Sequence, residues 1–168
     1  MCKTVMTIRK AVPEDALRIA EIYNQAVLGK CTCDSIPLTV EEKAEWLRPH
    51  IGSDRYPVYV SLIDGYVMGY GYLSEYRFGR PAVAGTAEVS YYLDFDFLGK
   101  GHGTEFLDYL IEEARKIGFT SLVAILMGSN DASIALLKKF GFELWGSMPD
   151  TVVIGDLVTD HVYYGLKI

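Results

Sequence analysis

The chain is poor in the features that mark whole classes of protein, and each absence removes one. Its 168 residues hold no apolar run near the ~20 that a membrane-spanning helix needs, so no membrane partner is expected. Sixteen Lys and Arg stand against twenty-two Asp and Glu, for a net charge of −6, and the basic residues are scattered. With no basic stripe to meet a phosphate backbone, no nucleic-acid partner is expected. Three cysteines make an odd count, which suits free thiols in a reducing compartment. Cys31 and Cys33 form a C-x-C pair, yet His50, His102 and His161 fall at no ligand spacing and Cys2 is far away. Structural or incidental thiols are expected there, and no metal. Residues 1–6 lack the apolar core of a signal peptide, which makes a cytoplasmic location the expectation.

What remains is a chain that is 50% hydrophobic and 23% charged, the composition of a folded globular protein. Its length suits one domain over residues 1–168. Residues 7–10 read as a first strand. Pro13-Glu14-Asp15 opens a helix that carries Ile19, Ile22, Tyr23, Ala26 and Val27 at helical spacing and closes at Gly29. Residues 30–38 read as irregular. Thr39 with acids behind it caps a second helix that runs through Trp46 to about His50. Two strands, 58–63 and 66–73, flank an Asp64-Gly65 hairpin turn.

A loop at 77–81 leads to a strand over 86–93. Thr86, Glu88, Ser90 and Tyr92 share one of its faces and Ala87, Val89, Tyr91 and Leu93 the other. A helix ends at Ile117 with Phe106, Leu107, Leu110, Ile111 and Ala114 inward. A buried strand at 121–126, a helix at 130–140, and strands at 142–148 and 161–168 complete the chain, with 149–160 as a connection. Early strands joined by a hairpin and later ones by helices imply an α/β (α+β) fold. Its sheet should be mixed and mostly antiparallel, with helices on both faces.

The sharpest local signal is the passage strand, Gly99-Lys100-Gly101-His102-Gly103, helix. Alternate glycines let backbone N–H groups converge, and the helix start adds its own free amides and dipole, so a diphosphate would fit. A merely flexible turn has the same composition. The P-loop pattern is absent. The glycines also lack dinucleotide-fold spacing, and the next strand ends in Leu126-Met127-Gly128 without the acid that fold requires.

Residues 98–103 resemble the Arg/Gln-x-x-Gly-x-Gly/Ala signature of the GCN5-related N-acetyltransferases (GNAT family). Asn130-Asp131-Ala132-Ser133, continuing to Lys139-Phe140-Gly141-Phe142, is similar to that family's later Asn-x-x-Ala/Ser segment ending in Gly-Phe. Arg77-Phe78-Gly79-Arg80-Pro81-Ala82, with Thr86-Ala87-Glu88-Val89-Ser90-Tyr91, looks most like the phosphinothricin and methionine-sulfone acetyltransferase group, and Asn24 and the Trp46 helix fit it too. The resemblance implies a GNAT fold of about seven strands and about four helices, and an acetyl-CoA-dependent N-acetyltransferase. Its acceptor would be the amine of a small molecule, and a homodimer is a further expectation.

By the same resemblance Tyr92 and Leu93 line the pantetheine arm. Leu98, Gly99, Lys100, Gly101, His102, Gly103 and Thr104 cradle the pyrophosphate, and Asn130 and Ser133 meet the arm. Glu88 is the candidate base, against the plainer reading of a carboxylate paired with a cation. Arg77 and Arg80 are candidates to hold an acceptor carboxylate, against a solvated loop. Asn130 is equally a good helix cap, and His102 and His161 read as surface or packing residues. Leu98 replaces the family's usual Arg or Gln, and Leu137 stands where many members carry a tyrosine that protonates the leaving thiolate. Two other readings stay open: an acyl-CoA-binding module without turnover, and a nucleotide-binding domain.

Overall fold

A computed structural model describes residues 5–168; Cys2 and most of the N-terminal segment used in the signal-peptide reading lie outside them. The chain runs β1 (Met6–Lys10), α1 (Ala16–Leu28), α2 (Val40–Leu47), β2 (Val58–Ile63), β3 (Tyr66–Glu75), β4 (Thr86–Leu93), α3 (His102–Ile117), β5 (Ser121–Met127), α4 (Asp131–Lys139), β6 (Glu143–Ile154) and β7 (Leu157–Lys167). One seven-stranded sheet has the order β1-β2-β3-β4-β5-β7-β6. Every neighbouring pair is antiparallel except β4–β5. This is the expected mixed sheet with four α-helices.

Local chemistry sets most boundaries. The Thr39 side chain accepts from the Glu42 amide while Glu42 accepts from the Thr39 amide, a reciprocal cap that starts α2. Asp64 and Gly65 both take positive φ, 50° and 80°, the backbone that a two-residue hairpin requires. Alternation on β2 to β4 divides the core. Met68, Leu73, Ala87 and Val89 meet Phe106, Leu107 and Leu110 of α3 on one face. Val58, Val60 and Tyr70 meet Ile19, Ile22 and Leu47 of α1 and α2 on the other.

One connection differs from expectation. Residues 149–160 are mostly strand: β6 and β7 form a long hairpin turning at residues 155–156, with its register shifted between Met148 and Val152. A proline cannot donate to a ladder, and the bulge takes it out of register. Pro149 therefore marks an irregularity inside the strand rather than its end.

The parallel β4–β5 pair matters most for the site. It holds only from Thr86–Ser121 to Glu88–Val123, while β4 stays paired to β3 as far as Leu93 and β5 to β7 as far as Met127. Beyond Glu88 the sheet splits into a wedge.

Candidate active site

Two adjoining cavities occupy the wedge. One, of about 400 Å³, is bounded by Tyr91, Tyr92 and Leu93 of β4, Leu98, Gly99, Gly101, Gly103 and Thr104 of the glycine turn and α3 start, and Asn130, Ala132, Ser133 and Leu136 of α4; Lys100 and His102 do not line it. The other, of about 360 Å³, lies deeper in the split between residues 88–92 of β4 and 124–127 of β5, and is closed by Cys31, Thr32 and Cys33 and by His161. Cys31, Tyr91, Tyr92, Asn130 and Ser133 border both, so the two form one continuous cleft.

The glycine turn leaves a run of amides without backbone partners. Gly99 and Gly101 take φ of +73° and +88°, and a Cβ on either would meet nothing within 4 Å. Their use is therefore backbone conformation rather than close packing. The amides of Gly99, Lys100 and Gly101 donate to no backbone carbonyl among the described residues. His102 and Gly103 fill the first two helical positions, where an amide has no intrahelical acceptor. At Gly103 the fit is closer: a Cβ there would come to 3.3 Å from the end of the Leu93 side chain and 3.4 Å from that of Leu136, which a small shift of either leucine would relieve. Lys100 turns back to donate to the Asp96 carbonyl at 2.7 Å.

Asp94 anchors the turn's upstream end. Its side chain is buried and pairs with Arg18 of α1, while its other oxygen accepts from the Asp96 amide. Burial pushes its pKa up, but the Asp96 amide and the Arg18 guanidinium outweigh that and hold the carboxyl below the usual range. Lys139, which sequence reasoning missed, lies across the turn with its ammonium 3.4 Å from the Thr104 hydroxyl.

Asn130 performs two structural tasks at once. Its carbonyl oxygen caps α4 by accepting from the Ser133 amide at 3.2 Å, and its amide donates to the Cys31 carbonyl at 3.3 Å. The cap and the cavity position are compatible, so the alternatives left open by the sequence are not exclusive. The Tyr91 hydroxyl donates to Ser133 at 3.5 Å, on the seam of the two cavities.

Glu88 lines the deeper cavity at the last rung of the β4–β5 pairing. It makes no ion pair among the described residues. Burial alone pushes its pKa above the ordinary carboxylate value. Arg77 and Arg80 are exposed on the loop after β3 and border neither cavity. His161 does border the deeper one, because the antiparallel register of β7 on β5 sets it opposite Met127 at the end of the pairing. Leu137 is buried and forms part of the same wall.

A strand that parts from its parallel neighbour, an amide-lined turn into a helix and a cleft running between them together define an acyl-coenzyme A transferase architecture. Residues 6–143 match the family model described as an acetyltransferase (GNAT) domain, and the chain belongs to that family. The L-methionine sulfoximine/L-methionine sulfone acetyltransferase of Pseudomonas aeruginosa is 36% identical over 146 residues, covering 85% of this chain and 83% of that one. The L-amino acid N-acyltransferase MnaT of Escherichia coli is 35% identical over 145 residues, covering 86% and 83%. The solved GNAT superfamily phosphinothricin acetyltransferase of Sinorhizobium meliloti, in complex with acetyl-CoA, superposes with a TM-score of 0.90 at 33% identity, covering 97% of this chain and 88% of that chain. The protein is thus an acetyltransferase that uses acetyl-CoA. The unpartnered amides and the open space beyond Gly99 and Gly101 suit the coenzyme's diphosphate.

Proposed function

We propose that the chain acetylates the primary amine of a small molecule, with Glu88 as general base. The observation that carries this reading is an unpaired carboxylate of raised pKa in the deeper cavity, one continuous cleft away from the amide cradle. Its acceptor class is an amino-acid analogue such as methionine sulfone or phosphinothricin, a reading supported by the printed names of the relatives. Arg77 and Arg80 line neither cavity, but their loop leaves β3 just beyond Ser74, the partner of Glu88, and from there they would reach out to an acceptor's carboxylate.

In this reading the amides of residues 99–103 hold the diphosphate, with Leu98, Lys100, His102 and Thr104 flanking it. Tyr92, Leu93, Asn130 and Ser133 line the pantetheine arm. The coenzyme supplies an acetyl thioester. The chain's own residues bring the amine beside it, which converts a bimolecular encounter into a positioned one. An ammonium cannot attack, so Glu88 takes its proton, directly or through a water. The outgoing thiol has a pKa near ~8.5 and leaves without a strong acid. The Tyr91 and Ser133 hydroxyls lie at the seam to hydrogen-bond to it, which accommodates Leu137.

The test is release of free thiol from acetyl-CoA with a panel of amines that includes methionine sulfone, methionine sulfoximine and phosphinothricin. Turnover with a primary amine is expected. Coenzyme binding without thiol release from any amine would instead make the protein a binding module. Glu88→Gln should lose kcat/KM by about 100-fold near neutral pH, where the acceptor is an ammonium. The deficit should close as the pH approaches the amine's own pKa. A variant that matches the parent at every pH would remove Glu88 from this role.

A further inference from the structure

Behind the deeper cavity lies a charged group that the proposed chemistry leaves unused. Lys43, on the inner face of α2, is only 4% exposed. Its ammonium makes no ion pair among the described residues. It stands instead over aromatic rings, 3.6 Å from the Tyr23 centroid, 4.4 Å from Trp46 and 5.6 Å from Tyr70. Leaving a lysine buried this way is costly unless the cage returns something.

Tyr23 connects the cage to the cleft. Its hydroxyl donates to the carboxylate of Asp34, and Asp34 lies in the irregular segment 30–38 that brings Cys31, Thr32 and Cys33 over the deeper cavity. A cation on the face of a phenol draws electron density from its oxygen and makes the O–H a stronger donor. The same cation attracts the Asp34 carboxylate directly. Both effects pull the segment down. Its ends are fixed independently: the Asn24 side chain bonds both the amide and the carbonyl of Leu38, at 2.9 and 2.8 Å, and Asn130 holds Cys31. Its middle rests on Asp34.

We propose that Lys43 is a positioning residue that seats the segment 30–38 over the acceptor cavity, acting through Tyr23 and its bond to Asp34. The proposal rests on the reading of the deeper cavity as the acceptor site. Burial draws the ammonium's pKa down to about 8, while Asp34 holds it up. The other titratable groups around the cage are Tyr23 of α1, Tyr70 and Tyr72 of β3, Tyr92 and Glu88 of β4, and His50 after α2. The tyrosines are all raised by burial and stay neutral in this range. Above pH 8 the segment therefore loses its cation and loosens.

Lys43→Met should raise the KM for methionine sulfone about fivefold, the size expected for losing one cation–π contact, with kcat and the KM for acetyl-CoA changed less than about twofold. Lys43→Arg, which keeps the charge, should restore it. It should also remove the rise in acceptor KM that the parent shows above pH 8. The cysteines of the segment supply a readout independent of any acceptor. At fixed pH, alkylation of Cys31 and Cys33 followed by mass spectrometry should be faster in Lys43→Met than in the parent, and back to the parent rate in Lys43→Arg. Should Lys43→Met not fold, Tyr23→Phe removes the bond to Asp34 and should show the same two effects.

Unchanged alkylation in Lys43→Met or in Tyr23→Phe, or a loss confined to kcat, overturns the proposal. If alkylation responds while the acceptor KM does not, the segment is seated as inferred but does not serve the acceptor. The proposal then fails together with the assignment of the deeper cavity, whereas a silent Glu88→Gln alone would leave the alkylation result standing.

Discussion

At Glu88 the requirements of folding conflict with the base role proposed for it, and the conflict is measurable. The carboxyl is held above its ordinary pKa by burial, so the fold prefers its protonated form. Between the ordinary value of about 4.5 and the raised one, the folded state binds more protons than the unfolded chain, and stability falls as the pH rises through that window. Glu88→Gln should therefore melt higher than the parent at pH 7, and the difference should vanish below about pH 4.5 in thermal unfolding followed by circular dichroism. A gain in stability together with a loss of rate is the pattern expected of a functional group rather than a structural one. Asn130 should behave in the opposite way. Asn130→Ala removes a helix cap and the hold on Cys31, and should cost about 1 kcal/mol in denaturant unfolding while raising the KM for acetyl-CoA. Lys139→Ala removes the cation beside Thr104, and should weaken acetyl-CoA binding a few-fold at low salt and less at high salt, as isothermal titration can measure.

Among the elements, α3 is the one whose seat on the sheet decides the cleft. A Cβ at Gly71 of β3 would come within 2.8 Å of Leu110 on α3 and 3.0 Å of the Ser90 carbonyl on β4. The glycine is what lets the helix lie close to the strand. Gly71→Ala should destabilise the protein by about 1–3 kcal/mol and, by lifting the helix that carries the amide cradle, weaken acetyl-CoA binding at the same time. How much of each element was legible in the sequence follows from the range of the forces that form it. The α2 cap and the Asp64-Gly65 turn were readable because three or four consecutive residues complete each structure. The β6–β7 hairpin was not, because Pro149 looks like a terminator locally and is tolerated only by a bulge against a distant strand. The place of His161 beside the cavity was not legible either, because it depends on the register of β7 on β5.

For the molecule as a whole, the cleft is the consequence of one short parallel pairing in an otherwise antiparallel sheet. With the coenzyme placed as proposed, it bridges β4, α3 and α4, so its binding should stabilise all three together. At a hundredfold excess over Kd, acetyl-CoA should add about 2.7 kcal/mol and raise Tm by several degrees, while NAD and ATP should leave it unchanged. The sequence by itself determined the order of the elements, the division of β4 into two faces, the amide-rich glycine turn and the family to which the chain belongs, since each follows from neighbouring residues and the backbone conformations they favour. Only the tertiary structure decided where β4 and β5 part, that Lys43 lies beneath Tyr23, that Arg77 and Arg80 stand on a loop that lines neither cavity and that Lys139 reaches Thr104. Those outcomes depend on how helices from opposite ends of the chain pack against one sheet, and no local pattern of residues encodes a contact made across dozens of positions.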